Sequence, residues 1–249
     1  MSYGGHLIFE HEDPQGLIRV LELGEKRVLS FGPGNEQSAG VKGAPEVLLF
    51  DYTQAMLLAL LWSPQPRRVL VLGLGAGSLV SCLHHHFKSK IDAVEQHPVV
   101  IDVAQRFFGL PHSKRLKLHR TEAGAYLTTT SQKYDLILSD LYVSTGMHEQ
   151  QTRSAFLRTC AEHLKPEGVF VMNCWRDTAE EHAHRLTQMT QSFAHVGSCS
   201  TPDQNWLVFG AHGPLEVTPV QQQRAKAFTK QLGFSLQKYL KRWRSHHVS

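Results

Sequence analysis

Several scarcities narrow this sequence before any motif is considered. It holds four cysteines, Cys82, Cys160, Cys174 and Cys199, far apart and with no CxxC pair. That spacing excludes a disulfide scaffold and the common zinc arrangements, and reads as buried thiols in a reducing compartment. No apolar run reaches the roughly 20 residues of a membrane span. The longest weakly polar stretch, Val69 to Leu83, is interrupted by three glycines and two serines. The opening MSYGGHLIFEHED has no basic segment before Leu7-Ile8-Phe9, so no secretory leader is expected and the protein reads as soluble and cytoplasmic. Net charge is also small: 26 Lys and Arg against 22 Asp and Glu give +4, too little to mark a nucleic-acid binder by itself. Repeats and low-complexity segments are missing, and a chain 41% hydrophobic and 19% charged is excluded from the disordered, collagen and coiled-coil classes.

What is present has the rhythm of an α/β protein. A chain of 249 residues fits one core with a small appendage. Residues 1–50 read as a small N-terminal β-domain, because Leu17 to Leu23 and Arg27 to Phe31 are rich in β-formers and are joined by Gly24-Glu25-Lys26, a hairpin signal. From 51 to 215, short apolar runs alternate with helical stretches, the pattern of a parallel sheet. Strands are expected at 69–72, 91–94, 116–119, 136–139 and 169–172, with helices over 79–87, 99–108, 152–164 and 178–193. The runs 195–199 and 206–209, separated by Thr201-Pro202-Asp203-Gln204-Asn205, then predict an antiparallel hairpin. Such an ending separates a methyltransferase-type sheet from a dinucleotide-binding one. The expected fold is a class I methyltransferase-type doubly wound sheet, mostly parallel with a C-terminal antiparallel hairpin, bearing a small N-terminal β-appendage. Residues 216–249 read as a basic C-terminal helical tail.

The strongest local signal is Arg68-Val69-Leu70-Val71-Leu72-Gly73-Leu74-Gly75-Ala76-Gly77-Ser78, an apolar strand entering a glycine-rich turn that opens a helix. Glycine suits a turn of unusual φ/ψ whose backbone must approach a ligand closely. Glu95 ends the next apolar run, 22 residues after Gly73, where an acid can accept both hydroxyls of a ribose. The dinucleotide fingerprint places its third glycine or alanine where Ser78 stands. The spacing Gly73, Gly75, Gly77 instead favours an S-adenosyl sulfonium cofactor. Glu122, near the end of the third strand, is placed to meet an adenine amino group, and Asp140 closes the fourth strand. A solvated loop carboxylate is the competing reading for either acid alone. Four such features at successive strand ends make it a poor one.

With these residues in view, the sequence resembles the spermidine synthase family of aminopropyltransferases over roughly residues 17–210. Gly34-Asn35-Glu36-Gln37 is similar to the family's DGxxQ element with Pro33 in place of the acid, and implies that Gln37 contacts the cofactor nucleoside. Tyr52-Thr53-Gln54 keeps the tyrosine of YHE. Gly73 to Ser78 corresponds to GGGDGG, Glu95 to the ribose-binding acid, Glu122-Ala123 to the adenine-side DG, and Asp140 to Ser144 to DSSDP. The resemblance also implies dimerisation.

The departures are chemically selective. Ala76 replaces the glycine-loop aspartate and Val143 the second acid of DSSDP, the groups suited to a carboxylate-free cationic donor and a polyamine nitrogen. Losing a carboxylate paired with a buried ammonium costs about 3–5 kcal/mol, or two to three powers of ten. The expected function is therefore transfer of an alkyl group, with methyl favoured, from S-adenosylmethionine or a close derivative. The acceptor is expected to be a small molecule, an amine among the candidates. The alternatives are a polyamine aminopropyltransferase using decarboxylated S-adenosylmethionine and a catalytically silent nucleoside-binding module. Asp140, Tyr142 and Tyr52 are the candidate catalytic residues, with His148 and Glu149 as further orienting groups or bases. Gln37, Gly73, Gly75, Gly77, Glu95, Glu122 and Asp140 are the candidate cofactor-binding residues.

No metal is expected, because consecutive His84-His85-His86 on a helix point about 100° apart and cannot face one ion. The tail carries seven of the 26 basic residues and no acid after Glu216, leaving 19 basic against 22 acidic residues elsewhere. It offers a surface to RNA, an anionic membrane or an acidic partner, with Trp243 as a stacking group. An amphipathic helix packed on the core is the reading preferred here.

Overall fold

The computed structural model describes residues 5–14, 16–32, 36–143, 146–147, 149–175 and 178–246, and only the backbone of residues 36, 37, 143, 146 and 175. Four strands, β1 (His6–Asp13), β2 (Gly16–Leu23), β3 (Lys26–Phe31) and β4 (Glu36–Val41), form an antiparallel meander in chain order. The expected hairpin is β2–β3. Its neighbours β1 and β4 were not legible, since β1 is largely exposed and polar and β4 is EQSAGV.

A short helix, α1 (Asp51–Met56), and a 3-10 turn, Leu57–Leu61, lead into the core. The core then runs β5 (Arg68–Leu72), α2 (Ser78–His86), β6 (Lys90–Glu95), α3 (Pro98–Phe107), β7 (Leu116–Arg120), α4 (Ala123–Thr129) and β8 (Tyr134–Ser139). The two-residue strands β9 (Tyr142–Val143) and β10 (Gly146–Met147) pair only with each other. After them come α5 (Ser154–Glu162), β11 (Leu164–Trp175), α6 (Ala179–Ser192), β12 (His195–Ser200) and β13 (Asn205–Ala211). The chain closes with α7 (Pro219–Leu232), α8 (Gln237–Leu240) and β14 (Trp243–His246).

The main sheet has the order β14-β12-β13-β11-β8-β5-β6-β7. β7, β6, β5, β8 and β11 are parallel, and β13 joins antiparallel between β11 and β12. This is the expected doubly wound α/β sheet with its antiparallel hairpin. Period-two alternation builds both faces at once. Val69, Val71, Leu136, Leu138, Val169 and Val171 enter one apolar cluster with α2 and α7, while Leu70, Leu72, Ile137, Phe170 and Met172 enter the other with α5. Each fully buried side chain of this size contributes about 1.5–3 kcal/mol. The strand order reverses at β5, with β6 on one side and β8 on the other, so a crevice opens at the carboxyl ends of these strands.

The end of the chain corrects an expectation. Residues 216–249 are not one helical tail: α7 and α8 are followed by an edge strand, β14, paired with β12 from Cys199↔Trp243 to Val196↔His246. Trp243 packs against Trp62 and Phe209 at ring distances of 4.7 and 4.9 Å. It lies over Gly197, where a Cβ would meet the indole at 2.1 Å. Its ring is therefore part of the packing. The four cysteines are buried as expected, and burial pushes the Cys82 and Cys199 thiols up to about 12. Among the described residues no helix is long and apolar enough to cross a membrane, and no cluster of His, Cys, Asp and Glu is arranged to hold a metal ion.

Candidate active site

The chain leaves β5 through Gly73, Leu74, Gly75, Ala76 and Gly77. All three glycines have positive φ, at 88°, 53° and 80°, which side chains resist. At Gly73 the demand is also steric, because a Cβ would lie 2.2 Å from the Asp140 carbonyl oxygen. Gly77 is the left-handed N-cap of α2 and gives the helix no side-chain cap, and a Cβ there would meet Leu110 at 2.6 Å. It shapes the turn without standing on the cavity wall. The Ala76 methyl is buried among Ile18, Val20, Val100, Val103 and Phe108, between the meander and α3. The loop therefore carries no charged side chain. The meander clasps it from outside: Ser78 Oγ donates to the Ala39 carbonyl at 3.0 Å, and the Ser38 hydroxyl lies close to Gly75.

A cavity of about 550 Å³ opens at this turn. Gly73, Gly75, Glu95, Glu122, Tyr52, Asp140 and Tyr142 all line it, so the structure gathers most of the sequence-predicted site residues in one place. Gln37 lies on β4, with its side chain outside the described part, and His148 is outside the described residues altogether. Glu149 does not join the site: its side chain is 90% exposed and faces Arg153 across 3.8 Å.

Glu95, at the tip of β6, accepts from the Leu74 N–H at 3.1 Å and the His97 N–H at 2.8 Å, one on each carboxylate oxygen. These bonds hold it against the glycine turn. Burial raises its carboxyl above the ordinary value despite those donors. Glu122 is the N-cap of α4, accepting from the Gly124 and Ala125 N–H groups at 2.8 and 2.9 Å. Its position was legible as a strand-end acid, but the capping work was not.

The opposite end of the cavity is built around Asp140. Its carboxylate accepts from Asn173 Nδ2 at 2.9 Å and from the Tyr52 hydroxyl, and burial pushes its pKa up to about 6. Tyr52 itself is pushed well above the ordinary phenol value by burial and by the charges of Asp140 and Asp203. Tyr52 is thus a neutral donor over the working pH range, and Asp140 is the titrating member of the pair. Tyr142 points its hydroxyl at the Asn173 carbonyl, 3.4 Å away.

Sequence reasoning missed the second layer. Asn173, buried in β11, accepts at Oδ1 from Asn205 Nδ2 at 2.9 Å. Gln151 is fully buried, donates to the Asn173 carbonyl at 3.1 Å and accepts from Ser139 Oγ at 2.9 Å. Asp203, on the β12–β13 turn, also lines the cavity. A polar Asn173 inside the apolar run Val169 to Cys174 was the one available signal. The described lining then includes four carboxylates, Glu95, Glu122, Asp140 and Asp203, and no Lys or Arg. A low-dielectric cleft of one sign concentrates ligands of the other.

A model of the spermine/spermidine synthase domain matches residues 50–207. The chain is 28% identical over 236 residues to the polyamine aminopropyltransferase of Vibrio vulnificus, covering 92% of this chain and 76% of that protein. It is 36% identical over 146 residues to the human eEF1A lysine and N-terminal methyltransferase, which covers 51% of this chain but only 21% of that much longer protein. The solved structure of human methyltransferase-like protein 13 in complex with SAH superposes with a TM-score of 0.67 at 26% identity, over 74% of this chain and 93% of that one. Proteins named for aminopropyl transfer and for methyl transfer thus both resemble this chain. Because the domain match spans the strands, the turn and the carboxylates that line the cavity, the chain belongs to the spermine/spermidine synthase family.

Proposed function

We propose that this protein transfers an alkyl group, in the first instance methyl, from S-adenosylmethionine to an amine acceptor. One observation carries the reading: among the described residues the cavity lining presents four carboxylates and no Lys or Arg, although the chain is basic overall, at +4. A sulfonium donor and an amine acceptor are both cations.

The residues fit a nucleoside donor. Glu95 would take the ribose hydroxyls, the backbone of Gly73 to Gly75 would lie along the sugar and chain, and Thr121, Glu122 and Ala123 border the place of the base. The uncapped N-terminus of α2 favours a donor that keeps its carboxylate. No carboxylate stands in the glycine loop to repel it, since Ala76 is there. When bound, such a donor supplies an electrophilic carbon on a positively charged sulfur that leaves as a neutral thioether. What remains for the protein is proximity, orientation and one proton. Asp140, ionised above about pH 6, is the group to orient the acceptor nitrogen and take up its proton. Tyr52 and Asn173 keep that carboxylate pointed into the cavity.

A second reading, aminopropyl transfer, draws support from the Vibrio relative, which matches over 92% of this chain. Titration calorimetry with S-adenosylmethionine and with its decarboxylated form separates the two. Tighter binding of S-adenosylmethionine, followed by a methylated product in mass spectrometry with an amine panel, is the outcome expected. Tighter binding of the decarboxylated form transfers the proposal to the second reading, and binding without turnover of either leaves a nucleoside-binding module.

A further inference from the structure

The active-site tyrosine sits on a helix that has little means of holding itself in place. α1 is six residues long and its N-cap, Phe50, offers no side-chain cap. So short a helix is not stable on its own. Its inner face is held by the buried Thr53, Ala55 and Met56, and Gln54 Nε2 donates to the Leu48 carbonyl at 2.7 Å, while the Asp51 carboxylate and Gln54 Oε1 are held from the other end of the chain. Tyr239 of α8 is fully buried, and its hydroxyl reaches the Asp51 carboxylate and, at 2.8 Å, Gln54 Oε1. Lys238 Nζ donates to the same Asp51 carboxylate at 2.7 Å. Asp51 and Gln54 lie on either side of Tyr52 within one turn of α1. Burial would raise the Asp51 carboxyl, but hydrogen bonds from Lys238 and Tyr239, with the charge of Arg242, hold it below its ordinary value. α8 is anchored in turn, because Cys199 Sγ of β12 donates to the Tyr239 carbonyl at 3.3 Å and β14, just beyond, pairs with β12.

We propose that the C-terminal segment positions the active site: Tyr239 and Lys238, seated on Asp51 and Gln54, set the place of Tyr52 and with it the hydrogen bond that Tyr52 gives Asp140. Tyr239 is a positioning residue, separated from Asp51 by 188 residues of chain and touching neither cavity nor substrate. The inference rests on the reading that Asp140 and Tyr52 face the reacting groups. It gives the basic tail, expected from the sequence to pack on the core, a task there.

The test reads Asp140 directly. The chain has eight aspartates, so carboxyl ¹³C signals of labelled protein can be followed from pH 4 to 8, with Asp140→Asn assigning the one that titrates near 6. The side chains bonded to Asp140 are Tyr52 and Asn173, and Asp203 acts on Tyr52 through its charge; of these only Tyr52 is altered indirectly here. Tyr52→Phe removes a donor to the charged form, so the midpoint moves up, by about one unit. Tyr239→Phe is expected to move it in the same direction by about half as much, since the donor remains but its seat is loosened. Asp51→Asn, which keeps an acceptor for Tyr239, serves as the second variant should Tyr239→Phe fail to fold, and is expected to give a smaller upward shift. A shift in Tyr52→Phe with none in Tyr239→Phe or Asp51→Asn overturns the inference and leaves the site reading standing. No shift in Tyr52→Phe overturns the link between Tyr52 and Asp140 itself. The donor reading stands or falls separately, on calorimetry with S-adenosylmethionine.

Discussion

Asp140 shows how a buried cavity carboxylate weighs on the fold that holds it. Its ordinary pKa of 3.8 is pushed up to about 6 by burial. Between those values the unfolded chain has lost a proton that the folded chain keeps, so stability falls as pH rises through this window. Above about pH 6 the cost is complete, at most about 3 kcal/mol. Asp140→Asn should therefore melt higher than the parent at pH 7.5, by roughly 1–2 kcal/mol, with the gap closing towards pH 4, while alkyl transfer is lost. A variant that is less stable at pH 7.5 would contradict this account. Asp203 also lines the cavity, at the end where Tyr52 stands. It stands on an exposed turn, so Asp203→Asn should leave stability within about 0.5 kcal/mol. The same change should raise the KM for a cationic acceptor several-fold without changing S-adenosylmethionine affinity, which steady-state kinetics and calorimetry separate. The sequence showed Glu95, Glu122 and Asp140 because each ends a strand beside a recognisable turn. Asn173, Asn205 and Asp203 were hidden because they meet only through the pairing of β11 with β13, which no local spacing reveals.

Among the elements, those with strong periodicity or glycine punctuation were readable and the others were not. The five parallel strands and the β12–β13 hairpin were legible as apolar runs between breakers. β11 is longer than expected, beginning at Leu164 with a register shift before Val169, and α5 correspondingly stops at Glu162. The 3-10 turn Leu57–Leu61 is wholly buried, so its uniform apolarity had no period to betray it. β14 was masked by its basic setting and reads as strand only because β12 offers an edge. The glycine turn joins β5 to α2 and carries a prediction of its own. Gly73→Ala must relieve both a φ of 88° and a 2.2 Å approach to the Asp140 carbonyl. It should cost about 3 kcal/mol or more in thermal unfolding and abolish nucleoside binding, whereas Ala76→Gly should be close to ordinary for a small core truncation. Equal melting temperatures for Gly73→Ala and the parent would refute the geometry.

At the scale of the whole molecule, charge is divided between an acidic cavity and a basic end. α7 and α8 bury Phe228, Leu232, Leu236 and Tyr239, so deleting 220–249 would strip the core as well as the charge. Reversing the exposed Lys226, Lys230, Lys241 and Arg244 to glutamate keeps the packing, and filter retention of RNA unchanged by that reversal would remove the nucleic-acid role. Trp243→Ala, in contrast, should lower the melting temperature by roughly 5–10 °C, through the loss of about 2–4 kcal/mol of packing. The meander also has a consequence beyond shape. It contributes Gly16, Leu17, Ile18, Phe31 and Ser38 to the cavity wall and is fastened to the glycine turn through Ser78 and Ala39. A nucleoside seated there would touch the meander as well as the glycine turn, so its release would be slowed if the two have to part. Residence time, rather than affinity alone, then becomes a property of the N-terminal strands, and Ser78→Ala should quicken dissociation of S-adenosylhomocysteine in stopped-flow measurements more than it weakens binding.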